Sequence, residues 1–150
     1  MDAQANKALV RRFYEEVWAS GNVGFAAEMF GEDYVRHDLR PTKAVPGPAG
    51  QALIAEQFRW AFPDLEWHVD LMVSEGDLVA TRWTATGTHS GPWGDAAPTG
   101  RRASFSGVNI FRFDSDGKVA EIWNHRDDLG LMQQLGVAIF AGAPSSDQDG

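Results

Sequence analysis

The sequence contains no cysteine, so it can form no disulfide framework, no thiolate metal site and no thiol nucleophile. Positive charge is also scarce: lysine and arginine number 13 against 21 aspartates and glutamates, which gives a formal net charge of -8. No cluster of lysine or arginine is dense enough to reverse this charge locally, and a negative surface repels phosphate backbones and anionic lipids. We therefore expect neither a nucleic-acid partner nor a membrane partner.

Long hydrophobic runs are missing as well. The N-terminal stretch MDAQANKALVRRFYEE becomes charged before any apolar run long enough for a signal peptide, and no later segment could span a bilayer. The four histidines show no paired ligand spacing, and no phosphate loop, nucleophile elbow or dinucleotide fingerprint is present. These absences predict a cytoplasmic protein without a metal ion or a cofactor.

The chain is long enough for one domain with a sizeable core, since 43% of its 150 residues are hydrophobic. We expect a single domain over residues 1–137 and a flexible C-terminal tail over residues 138–150, where small and polar residues dominate the last positions. No internal repeat or low-complexity tract suggests another organisation.

The first part of the chain has the periodicity of helices. Apolar residues between Ala8 and Trp18 form one stripe, with charged residues opposite, and a short second helix and a brief strand, DYVRHD, follow. The Pro- and Gly-rich loop LRPTKAVPGPAG leads into a helix that begins near Pro48 and ends before Pro63. Its predicted buried residues are Leu53, Ile54, Phe58, Ala61 and Phe62.

The second part of the chain has the period of strands. Leu65, Trp67, Val69, Leu71 and Val73 alternate with polar residues, and three further strand-like runs follow, with turn residues between them. The stretch DDLGLMQQL then predicts a short closing helix. Helices followed by an antiparallel meander indicate an α+β fold in which a curved sheet wraps the helices.

The last predicted hairpin, GVNIFRFDSDGKVAEIWNHR, can be phased by its turn. A loop at Ser115 and Asp116 places Asn109 opposite Ile122, and a loop at Asp116 and Gly117 places it opposite Asn124. Both registers put Asn109 and Asn124 on one face, whereas a three-residue loop would reverse the pairing. The two amides either hydrogen-bond a ligand or only satisfy each other across the hairpin.

The same phasing sorts the other polar residues near the hairpin. Arg126 shares the face of the two amides, while His125 and Trp123 lie on the opposite face, where a histidine is typically structural or interfacial. Asp127 or Asp128 stands where a helix needs a side-chain acceptor, so we predict a helix cap there.

Two further histidines are candidate cavity residues. His37 and Asp38 are adjacent near a strand end and face opposite ways, so one of them can enter a cavity as a general base, and a solvated strand end is the alternative. His89 either lines a cavity or stabilises a turn.

As a set, RRFYEEVWASG, FGEDYVRHD, AFPDLEW, WTATGTHSG, FRFDSDGKVAEIW and DDLGLMQQLG resemble the SnoaL-like polyketide (ester) cyclases. These share the cone-shaped α+β barrel of nuclear transport factor 2 and ketosteroid isomerase, and the resemblance covers about Ala8 to Gly136. It implies a cone-shaped fold with helices packed in a curved, mainly antiparallel sheet. This fold hosts many chemistries, so it does not by itself fix the reaction.

Carried over residue by residue, the resemblance implies four catalytic candidates. Tyr14 and Asp38 match the hydrogen-bonding Tyr and the base Asp of ketosteroid isomerase, and Asn109 matches the protonated Asp of its oxyanion hole. In the aldol cyclases of the SnoaL type, His and Asp stand where this chain has Asn109 and Asn124. An amide cannot exchange a proton near neutral pH, so these two positions do not carry over that aldol mechanism.

The resulting expectation is an enzyme that works without a cofactor, by acid–base chemistry through an enolate, on a hydrophobic polyketide-like molecule. The alternatives are a small-molecule-binding module without activity, a cofactor-free hydroxylase, and an epoxide hydrolase with an Asp/Arg/Asp relay. Folds of this shape commonly form homodimers through the outer sheet face, which we expect here at Val108, Ile110, Trp123 and His125. The expected substrate-binding residues are His37, Phe58, Phe62, Trp83, His89, Phe111, Ile122 and Arg126.

Overall fold

A computed structural model describes residues 2–38 and 46–137, and the predicted tail lies outside the described residues. The N-terminal helix α1 spans Ala3–Phe13 and begins at Asp2, whose side chain accepts a hydrogen bond from the Gln4 amide. It continues as a π-helical turn over Tyr14–Ala19. Such turns are rare and occur frequently at functional sites.

The remaining elements follow the predicted order. A 3₁₀ turn over Val23–Phe25 leads into α2 (Ala26–Met29) and β1 (Phe30–Asp38), and α3 (Pro48–Ala61) follows, with its proline in the first turn, as predicted. Four strands come next, namely β2 (Glu66–Glu75), β3 (Leu78–Thr88), β4 (Arg102–Phe113) and β5 (Val119–Arg126), before the closing helix α4 (Asp128–Leu135). None of the described helices is long and apolar enough to cross a membrane.

The strands form one sheet in the order β1-β5-β4-β3-β2. Only the β1–β5 pair among the described strands is parallel; the others are antiparallel neighbours in sequence. The helices cover one face of this sheet: the ring of Phe13 in α1 lies 5.9 Å from that of Phe111, and the ring of Phe58 in α3 lies 5.6 Å from that of Phe105. This arrangement confirms the predicted α+β fold of helices packed in a curved, mainly antiparallel sheet.

A bulge in β2 changes which of its residues face the helices. Val69 pairs with Trp83 but Leu71 pairs with Arg82, so Asp70 is the extra residue. After the bulge, Met72 packs against the core, and Leu71 and Val73 are 56% and 59% exposed. The uninterrupted alternation of the sequence is therefore wrong for Leu71 and Val73.

The hairpin of β4 and β5 has one of the two predicted registers. Asn109 pairs with Asn124, and a second irregularity between Arg112 and Phe113 absorbs a longer turn. Asn109 and Asn124 are both buried on the helix-covered face, whereas Val108 and His125 are exposed on the other. Asp127 caps α4 by accepting a hydrogen bond from the Gly130 amide at 2.9 Å, as predicted.

Candidate functional site

Polar side chains cross the helix-covered face of the sheet in a single transverse row. Asp38 is in register with Asn124, Asn124 with Asn109, and Asn109 with Thr81. Because the four residues occupy equivalent positions on adjacent strands, their side chains point to the same face. We call this set the polar row.

Tyr14 closes the polar row from the helix side. Its hydroxyl oxygen lies 2.6 Å from Thr81 Oγ1 and 2.8 Å from the Asn109 amide, which itself lies 2.5 Å from the Asn124 amide. Tyr14 is 2% exposed, and burial raises its pKa above the ordinary value of a phenol. The hydroxyl therefore stays protonated at physiological pH.

Two neighbours of fixed chemistry orient the Asn109 amide. The indole Nε1 of Trp83 is a donor and the Val108 carbonyl is an acceptor, and each lies 3.2 Å from the amide. Both are satisfied when the Asn109 oxygen accepts from Tyr14 and Trp83 and its Nδ2 donates to Val108 and to Asn124, whose amide then turns its oxygen towards Asn109. The Tyr14 hydroxyl then donates to the Asn109 oxygen and not to a ligand, and Thr81 donates to the Tyr14 oxygen.

Gly107 makes room for this arrangement. It pairs with Trp83 across the β3–β4 ladder, and a Cβ at residue 107 would lie 2.5 Å from the Trp83 ring and 2.7 Å from the His125 carbonyl oxygen. The indole thus lies flat over a position without a side chain. This brings its N–H within reach of Asn109.

Asn109 and Asn124 of the polar row line a small inner cavity of about 20 Å³. Its lining includes Asn109, Asn124, Trp83, Ile122 and Phe58, which sequence reasoning had selected. It also includes Gln51 of α3 and Trp67 of β2, which sequence reasoning missed. No local pattern identifies these two, because they come together only when α3 and β2 pack on the sheet.

A wider mouth cavity of about 680 Å³ adjoins the inner one, and the two share Arg36, Ile54, Phe58 and Arg126 in their linings. Trp60 and Trp93 form part of its apolar wall, as does Leu53, which is 39% exposed and not buried as its helical spacing predicted. This volume accommodates a small organic molecule.

Two Arg–Asp ion pairs, each between residues two positions apart in the sequence, lie at the mouth cavity. Arg36 Nε lies 2.6 Å from Asp38 Oδ2, and Arg126 Nε lies 2.5 Å from Asp128 Oδ1. The Arg126 guanidinium also lies 4.5 Å from the centre of the Phe58 ring, in cation–π contact. The repeated Arg-x-Asp pattern was readable in the sequence and predicts side chains on one strand face.

The structure also separates residues that the sequence had grouped together. Asp38 lines the mouth cavity, but His37 lies on the outer sheet face, where its Nε2 lies 2.9 Å from Glu121 Oε2 and its ring stacks on Trp123. The expected alternative of His37 in the cavity is therefore wrong, because β1 continues through Asp38 and keeps neighbours on opposite faces.

Three expected substrate-binding residues lie in the core and line neither cavity. Phe111 packs against Phe13 and Tyr14, and Phe62 packs against Phe105 and His89. His89 Nδ1 accepts from the Thr99 amide at 3.2 Å and lies 3.0 Å from its hydroxyl, which fixes the base of the loop between β3 and β4. Burial lowers the pKa of His89, in keeping with the turn-stabilising alternative.

The comparisons with known proteins agree with this geometry. The family model of the SnoaL-like polyketide cyclases matches residues 8–135. TsrD from Streptomyces laurentii has a solved structure with 27% sequence identity and a TM-score of 0.81, covering 92% of this chain and 99% of its own. AclR from Streptomyces galilaeus, provisionally assigned as a hydroxylase, shares 28% identity with a TM-score of 0.81 over 99% of this chain and 94% of its own.

IdmH from Streptomyces antibioticus, provisionally assigned as a polyketide cyclase, has the highest identity of these three. It is 31% identical with a TM-score of 0.73, over 88% of this chain and 99% of its own. A search among curated proteins gave no significant match. The family match over most of the chain, together with these structures of the nuclear transport factor 2-like fold, shows that the chain belongs to the SnoaL-like polyketide cyclase family.

Proposed function

We propose that this protein is an enzyme that binds a hydrophobic, polyketide-like small molecule in the mouth cavity and converts it through an enolate. The observation that supports this proposal is the polar row. In it the carboxylate of Asp38, at the mouth cavity, is in register with Asn124, and Asn124 is in register with Asn109, both at the inner cavity. A base beside neutral hydrogen-bond donors is the arrangement that enolate formation requires.

In the proposed step, an Asp38 oxygen removes a proton from the carbon next to a substrate carbonyl. The electron pair of the broken C–H bond forms a C=C bond, and the carbonyl electrons move to oxygen to give the enolate. Where the enolate is conjugated with a neighbouring C=C bond of the substrate, return of the proton at the far carbon of that bond shifts the double bond and completes an isomerisation. Attack of the enolate carbon on a second carbonyl forms a ring, and the proton passes from Asp38 to the new alkoxide.

Tyr14 has a different role in this proposal from the one that the resemblance implied. Its hydroxyl is held by Thr81 and Asn109 and it does not line the inner cavity, so it positions the Asn109 amide rather than touching the substrate. The proposed catalytic residues are Asp38 and Asn124; Tyr14 and Asn109, whose amide hydrogens are used by Val108 and Asn124, are positioning residues. Arg36 holds the Asp38 carboxylate by its ion pair.

The test is α-proton exchange in deuterated water, followed by NMR with 1-indanone as a small cyclic ketone. We expect the wild-type chain to accelerate the exchange and Asp38→Asn to lower the rate by about 10²–10⁴-fold. Tyr14→Phe should lower it less, because the amide remains in place. Equal exchange rates in the wild type and in Asp38→Asn would show that the base assignment is wrong, and a wild-type chain that gives no acceleration over a protein-free sample would favour a binding module.

The likeness to AclR favours a second candidate, a cofactor-free hydroxylase, because that likeness extends over 99% of this chain. Uptake of dissolved oxygen with a hydroquinone-type aromatic compound separates the two candidates. Oxygen consumed in proportion to turnover supports the hydroxylase, and turnover without uptake supports enolate chemistry.

A further inference from the structure

Four buried side-chain nitrogens have no hydrogen-bond partner among the described residues, and two of them belong to residues that line the inner cavity. These two are Gln51 Nε2 and Trp67 Nε1; the others, Asn6 Nδ2 and His89 Nε2, belong to residues outside both cavity linings. An N–H group buried without a partner has given up its hydrogen bonds to water without replacement. Folded proteins normally supply a partner, often a water molecule or a ligand.

Gln51 lies at the wall of the inner cavity, in the first turns of α3, and is 1% exposed. Burial raises the pKa of its neighbour Tyr34, and a side-chain interaction with Gln51 partly offsets this rise, but no acceptor among the described residues lies within hydrogen-bond distance of Gln51 Nε2. The Gln51 donor is therefore available at the cavity wall.

Trp67 is fixed by stacking. Its ring lies 4.6 Å from that of Trp18 and 4.3 Å from that of Trp83, with interplanar angles of 28° and 27°. Because the neighbouring rings hold the indole plane, its N–H cannot turn towards another partner. The donor is thus oriented before any ligand arrives.

The size of the inner cavity limits what these donors can bind. A volume of about 20 Å³ exceeds the roughly 10–15 Å³ that a single water-sized group needs, but it is too small for a ring. Both unpartnered groups are N–H donors, so the matching group is an acceptor. The inner cavity adjoins the mouth cavity, where the rest of a larger molecule can remain.

We propose that the inner cavity is an oxygen-binding subsite in which Gln51 Nε2 and Trp67 Nε1 donate to the carbonyl or enolate oxygen of a molecule whose apolar body lies in the mouth cavity. The enolate part of this inference rests on the proposed function, whereas the recognition of a carbonyl oxygen does not. The ligand class is a small hydrophobic ketone rather than a hydrocarbon.

Paired probes test this proposal: 1-indanone, which has a carbonyl oxygen, and indane, which has the same rings without it. Affinities are measured by ligand-observed NMR for the wild type, Gln51→Met and Trp67→Phe. Each variant should lose about two- to tenfold in affinity for 1-indanone, as expected for one hydrogen bond, and keep its affinity for indane. The control is Asn6→Met, which removes an unpartnered buried donor away from both cavities and should change neither affinity.

Several outcomes overturn the proposal. A wild-type chain that binds 1-indanone no better than indane has no oxygen subsite. Equal losses for both probes in Gln51→Met and Trp67→Phe indicate a structural role, and no loss in either variant indicates that water occupies the inner cavity.

The two proposals can fail separately. If Asp38→Asn leaves proton exchange unchanged but Gln51→Met still loses affinity only for 1-indanone, the subsite stands and the enolate chemistry is wrong. If Asp38→Asn abolishes exchange while Gln51→Met and Trp67→Phe bind both probes normally, the chemistry stands and the subsite is wrong.

Discussion

Polar groups on the two faces of strands β3, β4 and β5 differ in their access to water. On the inner face, Asn109 and Asn124 are 5% and 6% exposed and depend on fixed partners. On the outer face, Arg82 pairs with Asp70 at 2.5 Å, but its side chain is 48% exposed, so water can replace the partner. The same backbone therefore makes polar groups indispensable on one face and replaceable on the other.

Substitution of Asn109 should give the largest difference in lost stability between an inner-face variant and an outer-face variant. Asn109→Leu leaves the hydroxyl of Tyr14, the indole N–H of Trp83 and the Asn124 amide without their shared partner. We expect a loss of roughly 3–5 kcal/mol in the free energy of unfolding, measured by urea denaturation. The outer-face control, Arg82→Met, should cost less than about 1 kcal/mol, and similar losses in both variants would contradict the comparison.

Gly107→Ala should have the next largest effect. The added Cβ meets the Trp83 ring and the His125 carbonyl, and overpacking of this kind costs about 1–3 kcal/mol. Ser106→Ala, one position away on the outer face, should be close to neutral. If the clash is with Trp83, the double variant with Trp83→Phe will lose less than the sum of the single losses.

Stability should depend on pH through His89, the buried histidine directly after β3. Burial lowers the pKa of His89 below the ordinary value of 6.5, so the unfolded chain binds a proton at a higher pH than the folded chain does. The free energy of unfolding should therefore fall as the pH drops through 6.5 towards the folded pKa, by at most about 1.4 kcal/mol per pH unit.

Denaturation between pH 7 and pH 5 measures this dependence. His89→Gln should flatten it. A wild-type chain whose stability is constant over this range would refute the assignment to His89.

The smallest effect on the monomer fold is expected at the exposed apolar residues of the outer face. We propose that two copies of the chain associate there, because Leu71 and Val73 are more than half exposed on the face that also carries Val108. Val73→Glu should shift the molecular mass by light scattering from dimer to monomer, with little change in circular dichroism. A wild-type chain that is monomeric at micromolar concentration would rule the association out.

Sequence periodicity predicted the inner face well where the strands are regular. The period of two and the turn after Phe113 were enough to bring Asn109 and Asn124 together, because β4 and β5 are consecutive and pair directly. The same argument failed at Leu71 and Val73, because a bulge adds one residue without changing the sequence pattern.

The remaining parts of the site depend on packing between distant segments. Gln51 and Trp67 enter the inner cavity from α3 and β2, and Trp60 and Trp93 enter the mouth cavity from α3 and the loop after β3. No spacing rule relates these residues to the polar row. Their positions follow only from how the helices lie across the sheet.

The parallel pairing of β1 with β5 brings two identical tripeptide patterns, Arg36-His37-Asp38 and Arg126-Asp127-Asp128, to the same end of the sheet. Each arginine has a carboxylate partner two residues away, so the charges of the two pairs cancel at this end of the sheet. We therefore expect the mouth cavity to accept an uncharged molecule more readily than an anion, because an anion would meet guanidinium groups whose charge is already compensated.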